Sequence, residues 1–172
     1  MRYFPVVLTI LVDVAAHVPA AEAQRETAPP GVTNYTRVDA TVACGGATPV
    51  AALPELKKNG FVSVINFRTA QESGANIDEA KAKAAEVGLK YIHIPFQAPT
   101  PEVADAFLKA VGDRSNQPVY IHCASANRVG AMWFIKRVKL DGWDTDRAMK
   151  EAETIGLKAP NLRQFALDYV KK

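Results

Sequence analysis

The sequence is poor in the residues that build metal sites and disulfide frameworks. It has two cysteines and three histidines in 172 residues. Two thiols cannot make a four-thiolate zinc centre, and no C-x-x-C or H-x-x-x-H pair exists to start a mixed site. No zinc site of these kinds is therefore expected, and no cofactor is called for. Charge of one sign is also scarce: 21 basic side chains stand against 18 acidic ones, a net +3. So small and scattered an excess does not argue for nucleic acid. Beyond the first residues no apolar run approaches membrane-spanning length. Hydrophobic residues at 48% and charged residues at 23% are ordinary for a globular chain. The length suits one domain.

Residues 1–23 read as a secretory signal. Arg2 gives the positive start, residues 6–14 the apolar run, and Ala21-Glu22-Ala23 the small-x-small cleavage pattern. Export, to the periplasm or the medium, is the expectation, with Gln24 as first mature residue and no membrane span after removal. Residues 24–34, with Pro29, Pro30 and Gly31, read as a flexible arm, and 35–172 as the domain.

Within the domain, apolar β-branched runs alternate with amphipathic stretches. A short strand is expected over 35–43, closed by a turn at Cys44-Gly45-Gly46. Further strands are expected at 61–67, 89–94 and 119–122. Helices are expected from Thr48 to Lys58, Asn76 to Val87, Thr100 to Val111, Val129 to Lys139, Thr145 to Ile155, and after Asn161. That order predicts an α/β fold: three layers, with a mostly parallel central sheet flanked by helices.

The informative segment is Val119-Tyr120-Ile121-His122-Cys123-Ala124-Ser125-Ala126-Asn127-Arg128-Val129-Gly130. A buried strand delivers Cys123 to the carboxyl edge of the sheet, where open α/β sheets bind ligands. Ala124, Ser125 and Ala126 are small, so the backbone can curl and turn its N–H groups inward as an anion cradle, with Asn127 and Val129 completing it. The next helix brings its positive end to the same place, and Arg128 offers a planar fork that matches two phosphoryl oxygens. The same field favours a thiolate at Cys123, a nucleophile facing the bound group. His122 should point to the other side of the strand and steady the loop by hydrogen bonding.

This segment resembles the active-site loop of cysteine-dependent phosphatases of the dual-specificity, protein-tyrosine-phosphatase-like superfamily. Gly60–Arg68 is similar to that superfamily's second core strand, and Tyr91-Ile92-His93-Ile94-Pro95 to the strand before its general-acid loop. The likeness spans about residues 35–155. It is nearest to a bacterial branch of small, often exported phosphatase-like proteins. That branch includes the modules fused to NAD kinase and associated with beta-lactamase hydrolase. The resemblance implies a dual-specificity-phosphatase-like fold, a phosphate-ester or phosphoprotein substrate, and a cysteinyl-phosphate intermediate on Cys123 with Arg128 stabilising its charge.

Three departures keep alternatives open. Four residues separate Cys123 from Arg128 where the phosphatases have five, a spacing similar to that of rhodanese sulfurtransferases, which carry a persulfide. Val129 stands where a serine or threonine usually follows the arginine. Gln97 stands where the general acid would be, leaving Glu102 and Asp105 as the nearest carboxylates. A binding module that uses the cradle without turnover is the third reading. Arg68 is a candidate second phosphate contact, and Cys44 a candidate redox partner for Cys123 or a plain turn residue.

Overall fold

The computed structural model describes residues 27–171. The expected signal segment, 1–23, lies outside them. Five strands form one sheet: β1 (Thr36–Arg37), β2 (Val42–Gly45), β3 (Ser63–Asn66), β4 (Lys90–His93) and β5 (Val119–His122). Their order is β1-β2-β5-β3-β4, all parallel except the β1–β2 edge pair. Six helices cover it: α1 (Leu53–Lys58), α2 (Ile77–Glu86), α3 (Pro101–Gly112), α4 (Asn127–Lys139), α5 (Thr145–Ile155) and α6 (Pro160–Val170).

Strand alternation sorts the core into two layers. Val42, Cys44, Ile65, Val119 and Ile121 face α3–α6, where Phe107, Trp133, Phe134 and Ile155 fill the larger core. Ala43, Val64 and Tyr120 face α1 and α2, packing with Leu56, Phe61 and Ala84. The predicted three-layer, mostly parallel architecture is the one observed.

Local differences have local causes. The single strand expected over 35–43 is a hairpin, because Asp39 Oδ1 accepts from the backbone N–H of Thr41 (2.7 Å) and Val42 (3.1 Å) and turns the chain. Cys44 is consequently a fully buried strand residue, not a turn residue. Thr100 caps α3 as expected, through the Val103 N–H. Asn76 precedes α2 in a left-handed conformation, its amide bonded to Glu79, so its side chain does not cap. Asp144, not Thr145, caps α5, and α6 starts at Pro160. Residues 27–34, read as an arm, run against the domain: Val32 is buried, and Gly46 N–H donates to Thr33 O at 2.7 Å.

Helix α4 starts at Asn127, two residues earlier than expected, so Arg128 belongs to its first turn. It is anchored through Arg137, whose guanidinium donates to both oxygens of Glu151 at 2.6 and 3.0 Å. Trp133 Nε1 shares that carboxylate. Gly130 lets α4 and α5 approach closely: a Cβ there would stand 2.7 Å from Ala152 O and 2.9 Å from Leu157 N. Gly130→Ala is expected to lower stability by about 1–3 kcal/mol through overpacking. Urea unfolding would show this as a lower midpoint with unchanged slope.

Candidate active site

The loop 123–128 leaves β5 at the carboxyl edge, as the sequence predicts. Cys123 N–H donates to Gly45 O at 3.3 Å, tying the loop to β2. The chain then curls. Ala126 has φ 67, a left-handed conformation rarely adopted by a residue with a Cβ. Its C=O accepts from Gly130 N–H at 2.9 Å, the first bond of α4. No side chain caps that helix. Among the described residues, no acceptor engages the backbone N–H of Ala124, Ser125, Ala126, Asn127, Arg128 or Val129. Six consecutive donors, at residues that include the fully buried Ala126 and Val129, lack partners. Asn127, Arg128 and Val129 are the first-turn donors any helix leaves free, Ala124 and Ser125 are exposed, and the buried Ala126 amide is the one most in need of an acceptor.

Three props hold the curl. Asn127 Oδ1 accepts from the N–H of Lys158 and Ala159 at 2.7 and 2.8 Å. Asn127 Nδ2 donates to Ser125 Oγ at 3.2 Å. Gly156, with φ 147, lies so close that a Cβ there would meet the Ala126 methyl at 2.9 Å.

Arg128 is placed by a residue that the sequence reading missed. Its Nη1 and Nη2 each donate to one oxygen of Glu72 at 2.7 Å. Nη1 also reaches Phe67 O (3.0 Å) and Phe96 O (2.6 Å). A guanidinium has five N–H groups. The Nε hydrogen and one on Nη2 remain, and the guanidinium lies within interaction distance of Cys123. The Arg128 hydrogen bond holds the Glu72 carboxyl down to about 2, against an ordinary 4.5. Glu72 is thus ionised at neutral pH and cannot donate a proton to a leaving group. A signal existed: a buried arginine needs a counter-charge, and Glu72 lies in the loop after β3 at the same sheet edge.

Cys123 itself is fully covered, within the larger core. Cys44, on β2 opposite Ile121, is also buried, and both thiols are free. Burial first, then the Glu151 carboxylate, pushes the Cys44 thiol well above its ordinary value, so it stays protonated. His122 lies on the other face, stacked on Tyr120 at 5.7 Å between centroids. Burial, helped by the Arg68 charge, presses its pKa down to about 3, so the ring is neutral. It packs against the backbone of Gly46 and Cys123, but Nδ1 finds no hydrogen-bond partner among the described residues.

The remaining candidates lie apart. Arg68 donates to Ser73 O (2.5 Å), Gly74 O (3.0 Å) and Glu72 (3.4 Å). Its guanidinium shapes the 69–75 loop, so it is not a free phosphate contact. Glu102 is exposed on α3, and the Thr100 hydroxyl keeps its carboxyl below the ordinary value. Asp105 is exposed and accepts from Tyr169 OH. Gln97 is exposed beside Phe96, whose carbonyl holds Arg128.

A curled loop between a parallel strand and a helix, with a cysteine at one end and an arginine at the other, is similar to the anion loop of the cysteine-based phosphatases of tyrosine and dual-specificity type, although shorter by one residue. The chain belongs to the family described as DSP-PTPase phosphatase fused to NAD+ kinase, which matches residues 20–165. Over 111 residues it is 32% identical to a beta-lactamase hydrolase-like protein of Agrobacterium fabrum, covering 62% of this chain and 25% of that protein. The matched part is thus a quarter of the length of that curated relative. A DUF442 protein of Shewanella putrefaciens CN-32 shares the fold with TM-score 0.71 at 21% identity, over 82% of this chain and 93% of that one. TpbA of P. aeruginosa, solved as a Cys-to-Ser variant with pTyr, does so with TM-score 0.66 at 20% identity, over 90% and 91%.

Glu72→Gln is expected to free Arg128 and reduce kcat/KM on an aryl phosphate by about 10–100-fold, as misplacement of a charge-stabilising group does. It should also cost about 1–3 kcal/mol of stability. Because the carboxyl is depressed, that stability difference is full above pH 4.5 and disappears as pH falls through about 2. Urea titrations of both proteins across that range would read it.

Proposed function

We propose that the reaction runs through Cys123, with the loop amides and Arg128 as the oxyanion binder. The single observation that carries this reading is the run of six partnerless N–H groups from Ala124 to Val129 beside an arginine already aimed by Glu72. The loop opens enough to seat a phosphoryl group. Its equatorial oxygens take the amides and the two remaining hydrogens of Arg128. The Cys123 thiolate then gives an electron pair to phosphorus. The S–P bond forms, the ester P–O bond breaks, and the leaving oxygen departs with that pair and takes its proton from water. A second water attacks phosphorus and loses a proton to solvent. The S–P bond breaks, orthophosphate leaves and the thiolate returns.

No carboxylic acid able to donate a proton faces the loop among the described residues, since Glu72 is held ionised. Substrates whose leaving oxygen is stable as an anion fit this site best, phosphotyrosine and other aryl phosphates first. The phosphoprotein substrate and action outside the cytoplasm are parts of the same proposal, the second supported by the signal pattern of residues 1–23. One observation favours a second reading: the four-residue spacing between Cys123 and Arg128 is similar to that of sulfurtransferases, with Cys123 carrying a persulfide.

The protein is expected to hydrolyse an aryl phosphate, and an alkyl phosphate about 100-fold or more slowly for want of a general acid. Cys123→Ser should abolish turnover while retaining phosphate binding. Transfer of sulfur from thiosulfate to cyanide, with aryl phosphates untouched, would replace the phosphatase reading by the sulfurtransferase one. Phosphate binding without either turnover would leave a binding module.

A further inference from the structure

We infer that Asn34 is a positioning residue for the anion cradle, a role that rests on the phosphatase reading of the loop. Asn34 lies before β1, outside the sheet, 91 residues from the residue it touches. Its amide Nδ2 donates to Ser125 O at 3.3 Å. The segment is held at that distance by the paired bonds of Thr33, N–H to Ala47 O at 3.0 Å and O from Gly46 N–H at 2.7 Å. Asn34 itself has φ 49, a left-handed conformation that asparagine tolerates better than other residues with a Cβ.

The contact matters because of what a planar trans peptide does: its C=O and N–H point in opposite directions. The Ser125 carbonyl is drawn outward to the Asn34 amide, with Gly156 backing it so closely that a Cβ there would stand 3.4 Å from the oxygen. The Ala126 N–H of the same peptide is thereby turned inward, among the partnerless donors. Ala126 needs such help, since φ 67 is strained for alanine and a peptide flip would relieve it. A flipped peptide would put the Ser125 oxygen where the anion belongs and exchange a donor for a repelling acceptor. The geometry therefore gives the segment before the first strand a part in substrate binding, through one side-chain amide.

Asn34→Gly removes the amide while keeping the left-handed backbone. Asn34→Asp keeps the shape without the donor and stands in if the glycine variant folds poorly. With the full chain, inorganic phosphate is titrated as a competitive inhibitor of aryl phosphate hydrolysis, and the Ala126 amide resonance is followed during the titration. The expected result is a phosphate inhibition constant about tenfold weaker. The Ala126 resonance should shift less on phosphate addition, with the melting temperature close to that of the unaltered protein. Variants that bind phosphate as tightly as the unaltered protein, or bind it weakly with the Ala126 response intact, would overturn the role of Asn34 alone. An unaltered protein that neither hydrolyses aryl phosphate nor binds phosphate would overturn the phosphatase reading, and this role with it.

Discussion

A mostly buried guanidinium must be neutralised and fully hydrogen-bonded, or it destabilises the fold. Arg128 meets this by donating to both oxygens of Glu72 and to the carbonyls of Phe67 and Phe96. These three residues come from the loops after β3 and β4, so one side chain of α4 ties together the segments that leave the sheet at its carboxyl edge. The tie also orients the fork. With Nη1 and one Nη2 hydrogen committed, the remaining donors have one direction left. Charge-stabilising groups work best when fixed beforehand, because no reorganisation is then needed during the reaction. The Glu72–Arg128 pair makes this arrangement rigid.

The loop shows the complementary economy. Its six N–H groups are withheld from the fold, and the surroundings compensate by holding the curl from outside, through Asn127 on Lys158 and Ala159, and Gly156 against Ala126. The strain of a left-handed alanine is stored within that run of donors. Cys44 and Cys123 sit in the same core, yet only one adjoins the cradle. Cys44 is kept protonated by burial and by the Glu151 carboxylate.

Much of this was legible in the sequence because it depends on local pattern. β-branched runs gave β3 to β5, Thr100-Pro101 gave the start of α3, and the cysteine, small-residue and arginine order gave the loop between β5 and α4. What stayed hidden depends on contacts distant in the chain. Glu72 looks like any loop acid until the fold brings it 2.7 Å from Arg128. Arg68 looks available until its donors are found on Ser73 and Gly74. The hairpin depends on the Asp39 carboxylate accepting from the Thr41 and Val42 amides, and it places Cys44 inside β2. Asn34 could not be tied to Ser125 from any spacing.

The central claim is that the anion bound by the loop becomes covalently attached to the sulfur of Cys123. Rapid acid quenching of the protein during turnover of a radiolabelled aryl phosphate, followed by peptide mapping, tests it most directly. The account predicts phosphate label on the peptide containing Cys123 and none on that containing Cys44. Turnover without label on Cys123, or label on another residue, would contradict it.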